Sequence, residues 1–331
     1  MTGYKEQFSL GDKVFPNNVF FAPLAGCSDY PFRKMTAQFK PGLMFCEMVK
    51  MDALVRHDAK TYGLLDYERG MHPIGGQICG SKPEIAGASA RIIEDLGFDV
   101  VDLNCGCPVD KVTKDGSGSG MLKTPNLIGE VISEMVNAVK IPVMVKIRAG
   151  WDENSINASE VTKIAESAGA VSICIHGRTR VQAYTGSANW DHIKQAKESA
   201  KTIKVIGNGD IFDVESAEAI FEHTKCDAIL LSRGSMGSPW LGDDIRSKYL
   251  HGSYERKSID QIKFYLLQHF SHILDYRDGR KALLDMRRVS CWYLKKCIGA
   301  KQLRIQIMKA KEPLEILNLI ETFDWPLLEP A

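Results

Sequence analysis

Short apolar runs alternate with amphipathic stretches over the first three-quarters of the chain. Eight runs read as buried parallel strands, ending at 19–25, 43–48, 73–79, 100–105, 143–148, 171–176, 204–209 and 228–233. Helical spacing fills the gaps. One helix is predicted from Lys82 to Leu96, opened by Ser81 and closed by Gly97, and another from Asn126 to Val139, between Pro125 and Pro142. A third runs from Asn157 to Ala168 and stops at Gly169. Eight strand–helix units in about 240 residues predict an α/β fold of the closed (β/α)8 TIM-barrel type. The alternative, an open doubly wound sheet, favours a glycine fingerprint after its first strand, and Ala22-Pro23-Leu24-Ala25-Gly26 is not one. Residues 8–22 suggest a hairpin turning at Pro16-Asn17-Asn18 and leading into the first strand. After Asp244 the pattern becomes wholly helical: Ile259, Ile262, Leu266, Phe270 and Ile273, then Met286, Val289 and Tyr293, then Leu314, Leu317 and Ile320. The expected organisation is a barrel over residues 1–243 and a small helical domain over 244–331.

The most informative stretch is Val100-Val101-Asp102-Leu103-Asn104-Cys105-Gly106-Cys107-Pro108. An apolar strand stops at Asn104 and delivers two thiols into a turn forced by Gly106 and Pro108, at the strand end where barrels build active sites. Cys107, fixed between glycine and proline, is the candidate reactive thiol, and Cys105, two residues away, is expected to pack. Both also read as core residues, because free cysteine is commonly buried. A zinc pair lacks a second Cys or His pair at the right spacing, so no metal is expected. Lys114-Asp115-Gly116-Ser117-Gly118-Ser119-Gly120 lacks a P-loop ending, and its three alternate glycines predict a mobile flap that carries Cys107 over the pocket.

If the barrel closes, the polar residues ending its strands face one pocket. They are Pro23 to Gly26, Glu47, Gln77, Asn104 with Cys107, Lys146 with Arg148, His176 with Arg178, Asn208-Gly209-Asp210 and Ser232-Arg233-Gly234. Singly, Lys146 or Arg148 also reads as a solvated charge and His176 as a core histidine. In register they read as one site. Glycines at the last two strands suit a phosphate, and the surrounding amides, Lys and His suit a flat heterocycle bonded at its edge.

Composition then narrows the partners. The chain of 331 residues carries a net charge of only +1, yet residues 280–311 hold ten Lys or Arg against one acid, Asp285. A surplus of nine positive charges in one helical segment favours RNA over a solvated face. No apolar run is long enough for a membrane span and no basic-then-apolar leader precedes Leu10, so a cytoplasmic protein is expected. Nine scattered cysteines are expected to be reduced thiols.

Six segments carry a family resemblance: APLAGCSDYPFR from Ala22, GGQICG from Gly75, LNCGCPVDKV from Leu103, VKIRAGW from Val145, IHGRTRVQAYTG from Ile175 and NGDI from Asn208. Together they resemble the tRNA-dihydrouridine synthases, flavoenzymes that reduce uridine in the tRNA D-loop. The resemblance implies an FMN-binding barrel, NADPH (or NADH) as reductant and a tRNA-binding helical domain, and a monomer is expected. Matched position by position, it implies FMN contacts at Pro23, Leu24, Ala25, Gln77, Lys146, His176, Asn208, Gly209, Asp210, Ser232 and Arg233. Cys107 would be the catalytic acid, and Asn104, Arg148 and Arg178 would line the substrate side. Leu24 stands where the family usually has Met, and Ser232 replaces the glycine of a common Gly-Arg pair. Reduction of the uracil C5=C6 bond needs a hydride at C6 and a proton at C5. A thiol of ordinary acidity, ~8.5, is mostly protonated at neutral pH and fit to give that proton. Two rival readings are an FMN barrel reductase of a small molecule, which has no need of the basic tail, and an RNA-binding protein with a vestigial barrel.

Overall fold

A computed structural model describes residues 3–295, 297–325 and 329–330. Eight parallel strands close on themselves: β1 (Val19–Phe21), β2 (Leu43–Phe45), β3 (Ile74–Cys79), β4 (Val100–Cys105), β5 (Val143–Arg148), β6 (Ser172–His176), β7 (Lys204–Asn208) and β8 (Ala228–Leu231). Each pairs with the next, and β8 returns to β1 through Leu231 opposite Phe21. The (β/α)8 expectation is met. Helices α1 (Tyr30–Ala37), α2 (Pro83–Asp95), α3 (Pro125–Ala138), α4 (Ala158–Ser167), α5 (Asp191–Ser199), α6 (Val214–Thr224) and α7 (Leu241–His251) surround it, with shorter helical turns between them.

Strand alternation sorts the side chains. Odd-numbered residues of β4 and β5, such as Val101, Leu103, Val145 and Ile147, join the large cluster beneath the helices. The opposite parity fills the barrel with Phe20, Phe45, Val100, Met144, Cys174, Ile206 and Leu230. Toward the carboxyl ends this inward row turns polar, through Asp102, Asn104, Lys146, Arg148, His176 and Asn208. The lower barrel is thus a packed core and its upper end a polar floor.

The amino-terminal hairpin pairs Phe8–Leu10 with Lys13–Phe15 and turns at Gly11-Asp12, with Gly11 at φ +57°. The expected turn at Pro16-Asn17-Asn18 is corrected accordingly, because only Gly11 takes a left-handed conformation cheaply there. Asn18 is fully buried instead and donates to the carbonyls of Gly3 and Asp227, at 2.7 and 2.8 Å. Phe8, Leu10 and Phe15 plug the barrel's amino end, each contributing about 1.5–3 kcal/mol by burial.

The tail consists of α8 (Ile259–Tyr276), α9 (Gly279–Leu294), α10 (Lys301–Lys309) and α11 (Pro313–Thr322). Ser258 and Gln261 form a capping box that starts α8. The periodic residues of α8 and α9 are its core, whereas in α11 Ile316 and Ile320 are buried and Leu314 is exposed. The sequence-based boundary after residue 243 falls inside α7. Leu241 and Ile245 pack with the barrel's outer cluster while Trp240 packs with the tail, so the two cores interleave at this helix. α1 is the main barrel element against the tail: Tyr30 stacks on Tyr276 at 4.4 Å, and Phe39 meets Tyr265 edge-on at 5.3 Å. No helix among the described residues is long and apolar enough to cross a membrane.

His269 sits in the tail core, 1% exposed, with Nδ1 3.3 Å from the Tyr293 hydroxyl and no partner for Nε2. Burial, reinforced by the charges of His272 and Arg288, lowers its pKa to about 3. Below the ordinary histidine pKa of ~6.5 the unfolded tail gains a proton that the folded tail does not. Stability is therefore lost as pH falls from ~6.5 toward 3, with a slope of ~1.4 kcal/mol per pH unit from this residue. Denaturant melts followed by tryptophan fluorescence should show this acid limb, and His269→Phe should flatten it; an unchanged slope in that variant would reject the assignment.

Candidate active site

The upper barrel opens into a cavity of about 400 Å³ at the carboxyl ends of the strands. Pro23, Leu24, Ala25, Leu230 and Met236 give it apolar walls, and Gln77, Asn104, Lys146, His176 and Asn208 give it a polar floor. The residues are neighbours because of strand register: Gln77 pairs with Asp102, Asn104 with Lys146, Arg148 with His176, and His176 with Asn208.

A directed hydrogen-bond chain crosses that floor. Gln77 Nε2 donates to Asp102 Oδ2 at 2.6 Å, and its Oε1 accepts from Asn104 Nδ2 at 2.7 Å. Asn104 Oδ1 in turn accepts from the backbone N–H groups of Gly106 and Cys107, at 3.1 and 2.9 Å. One end is a pair of donors and the other a carboxylate, so both amide orientations are fixed from outside. Gln77 is left with one N–H to offer. Asp102, 2% exposed, has its pKa raised by burial to about 7, partly opposed by the Gln77 bond and the charge of Lys146. Sequence reading passed over Asp102, although an acid inside an apolar strand was the available signal.

The Cys107 loop is clamped elsewhere too. Arg148 Nε donates to the Gly106 carbonyl at 2.8 Å, and the Ser119 hydroxyl and N–H donate to the Cys107 carbonyl at 2.8 and 3.1 Å. None of these bonds uses the Cys107 sulfur. Cys107 lines the cavity at intermediate exposure, whereas Cys105, on the outward odd-numbered row of β4, is buried with its sulfur 3.6 Å from that of Met121 and packs as expected. The glycine-rich segment is not a flap: Gly118–Lys123 forms a 3-10 turn whose Gly118 to Leu122 are all buried. A Cβ on Gly118 would lie 2.9 Å from the Cys107 carbonyl oxygen, so the glycine serves close packing beneath the thiol loop rather than motion.

On the opposite side, Lys146 Nζ donates to Asn208 Oδ1 at 3.1 Å. Asn208 Nδ2 donates to the Leu230 carbonyl at 2.7 Å and to Ser232 Oγ at 2.9 Å, which gives the Ser232 hydroxyl a supporting role. Burial lowers the Lys146 pKa. Burial, followed by the charges of Lys146, Arg148, Arg178 and Arg233, drives that of His176 well below the ordinary range, so the imidazole is neutral.

Of the fifteen site residues implied by the resemblance, fourteen line this one cavity and Arg178 does not; nor do Gly26 and Glu47, whose strand-end positions also pointed there. The Arg178 guanidinium is buried and pairs with both carboxylate oxygens of Asp210 at 2.7 Å, while donating to the carbonyls of Thr185 and Gly186. Asp210 also accepts from Arg233 at 3.1 Å and from the Ala188 N–H at 2.8 Å. Burial alone would raise the Asp210 pKa, but these bonds, led by Arg178, hold it below the usual range. Two guanidinium groups on one carboxylate leave a net positive charge at the ends of β7 and β8. Tyr184 and Phe212 flank Arg233 at 5.0 and 5.5 Å from their ring centres and also line the mouth. Sequence reading did not single them out, the signal being two aromatic residues in polar loops. No cluster of three or more metal-ligating side chains occurs among the described residues.

A closed eight-stranded α/β barrel with its polar residues gathered in a cavity at the strand carboxyl ends defines an α/β-barrel enzyme. The chain belongs to the dihydrouridine synthase (Dus) family, whose sequence model matches residues 20–324. It is 34% identical over 317 residues to tRNA-dihydrouridine synthase B of Pasteurella multocida, covering 95% of both chains. A probable tRNA-dihydrouridine synthase of Rickettsia conorii is 34% identical over 325 residues, with 97% of each covered. Among solved structures, TcOYE with pHBA superposes with a TM-score of 0.56 at 14% identity, over 82% of this chain and 98% of that one. Histamine dehydrogenase from Rhizobium sp. 4-9 gives 0.56 at 13% identity, over 81% of this chain and 50% of that one. Those two likenesses concern the fold.

Proposed function

We propose that the protein reduces uridines of the tRNA D-loop to 5,6-dihydrouridine, with FMN held in the cavity and NAD(P)H as the reductant. The observation that carries this reading is a clamped thiol, Cys107, sharing one cavity with Gln77, Lys146, His176 and the positively charged ends of β7 and β8. The donor set suits the flavin. Gln77 and Lys146 present N–H groups to the acceptor-rich edge of a ring, Pro23, Leu24 and Ala25 offer it an apolar wall, and Arg233 with Ser232 and Gly209 suits the phosphate. Asp210 does not repel that phosphate, because Arg178 and Arg233 neutralise its carboxylate. Arg178 is accordingly a positioning residue for the phosphate end, not a wall of the substrate side.

A reduced flavin held by Gln77, Lys146 and the apolar wall would supply the hydride that C6 of the uracil needs. Cys107 delivers the proton to C5, completing the two-electron reduction of the double bond. Asn104 and Arg148 hold the N–H and carbonyl of the Gly106–Cys107 peptide before that thiol, and Ser119 holds the Cys107 carbonyl after it. Negative charge growing on the uracil carbonyl is stabilised by cations of the same cavity, Lys146 and Arg148. The flipped base costs a few kcal/mol to unstack, which phosphate contacts by Arg280, Lys281, Arg304 and their neighbours in the tail offset.

The test is the visible spectrum of the purified protein before and after NADPH, then anaerobically with unmodified tRNA. Flavin bands that bleach and recover only with tRNA are expected. A bleached flavin that tRNA leaves reduced would instead favour a small-molecule reductase, and protein that FMN cannot reconstitute would reject both.

A further inference from the structure

The loop that follows β1 contributes Pro23, Leu24, Ala25 and Cys27 to the cavity. It is closed on itself: the Cys27 and Ser28 N–H groups donate to the Leu24 carbonyl at 2.9 Å, and Ser28 Oγ accepts from the Leu24 N–H at 2.9 Å. Gly26, at φ +71°, makes the turn possible. A loop bonded in this way moves as a unit, so its outer attachments decide where it sits. Glu47 accepts from the Gly26 N–H, and the buried Arg33 donates to the Ser28 carbonyl. Asp29 ends the loop and caps α1, accepting from the Phe32 N–H at 3.2 Å.

The tail grips two of these attachments. Arg288 on α9 reaches Asp29 Oδ2 at 2.7 Å, is steadied by Asp285 at 3.1 Å, and lies 5.3 Å from the ring centre of Trp292. Tyr276 on α8 donates to the Asp66 carboxylate at 3.1 Å, and the Asp66 carbonyl accepts from Arg33. Asp29 is 5% exposed, so water screens little of its ion pair with the Arg288 guanidinium.

We infer that Arg288 is a positioning residue that ties the helical tail to the cavity loop through Asp29, so that a shift of the tail on engaging its substrate is transmitted to the wall formed by Pro23, Leu24 and Ala25. The identity of that substrate as tRNA rests on the function proposed above, whereas the tie itself does not. The pair joins elements 259 residues apart in sequence, and it ends on the first turn of the helix that also carries the main barrel–tail contact. Removing the guanidinium leaves Asp29, Asp285 and Glu47 with less positive charge among them, which loosens the loop from the tail side while Glu47 and Arg33 still hold it from the barrel side.

Hydrogen–deuterium exchange on the cofactor-free full chain tests this without reference to flavin chemistry. The amides of 26–28 should exchange about five- to tenfold faster in Arg288→Gln and in Asp29→Asn, and the double variant should be no faster than either. Asn keeps the helix cap, so the second variant preserves α1 if the first disturbs the tail. Exchange unchanged in both single variants, additive effects in the double, or equal acceleration throughout α8 and α9 would each overturn the inference. A protein that binds no FMN would defeat the proposed function and leave this result readable.

Discussion

Cys107→Ala should leave flavin binding and its bleaching by NADPH within about twofold of the parent while uridine reduction falls by roughly 10²–10⁴. The split follows from how the loop is held. Its bonds to Asn104, Arg148 and Ser119 all involve the backbone of Gly106 and Cys107, so deleting the sulfur removes the proton donor without releasing the loop. Dihydrouridine in tRNA digests, measured by mass spectrometry beside the rate of NADPH-dependent bleaching, reads the two halves separately. Full dihydrouridine formation in the variant would remove Cys107 from the chemistry, and loss of bleaching as well would place it on the cofactor side.

Gly118→Val should cost stability and uridine reduction together. Gly118 lies at φ +59°, where a β-branched residue is strained by ~1–3 kcal/mol. Its Cβ would stand 2.9 Å from both the Cys107 carbonyl oxygen and Val112 Cγ1. Overpacking of this kind adds about 1–3 kcal/mol and pushes the thiol loop off the Ser119 bonds. A lowered melting temperature with uridine reduction down by at least about tenfold is expected, since small misplacement of a catalytic group is costly. Gly116→Ala is the control for backbone strain without overpacking: at φ +80° it carries strain too, but in an exposed position its Cβ would meet only Ser81, at 3.6 and 3.9 Å, so a smaller loss of melting temperature and little loss of uridine reduction are expected. A mobile flap would tolerate both changes in stability, so an undisturbed melting temperature in Gly118→Val would restore that reading.

The two variants also mark where sequence pattern stopped being informative. Alternating apolar runs and helical stretches specify strands and helices locally, because side-chain burial has period two in a strand and about 3.6 in a helix. Eight such units, plus the rule that active residues gather at strand carboxyl ends, brought fourteen of the expected residues to one cavity. Glycine spacing was ambiguous for a physical reason. The same missing Cβ permits motion in an open loop and close approach in a packed one, and only the neighbours of Gly118 decide between them.

Charge was ambiguous in the same way. Arg178 in a polar strand end reads as a ligand contact until Asp210, 32 residues later, is seen to occupy its guanidinium. Asp102 was hidden inside an apolar run until register set it beside Gln77. The sequence by itself determined the barrel, its order of elements, the helical tail and most of the residues at the cavity, since those depend on periodicity and on position along each strand. Tertiary structure alone decided which of them face the cavity and which hold another residue in place, and that the tail reaches the β1 loop through Arg288 and Asp29. Those outcomes depend on contacts between residues far apart in the chain, which no local pattern encodes.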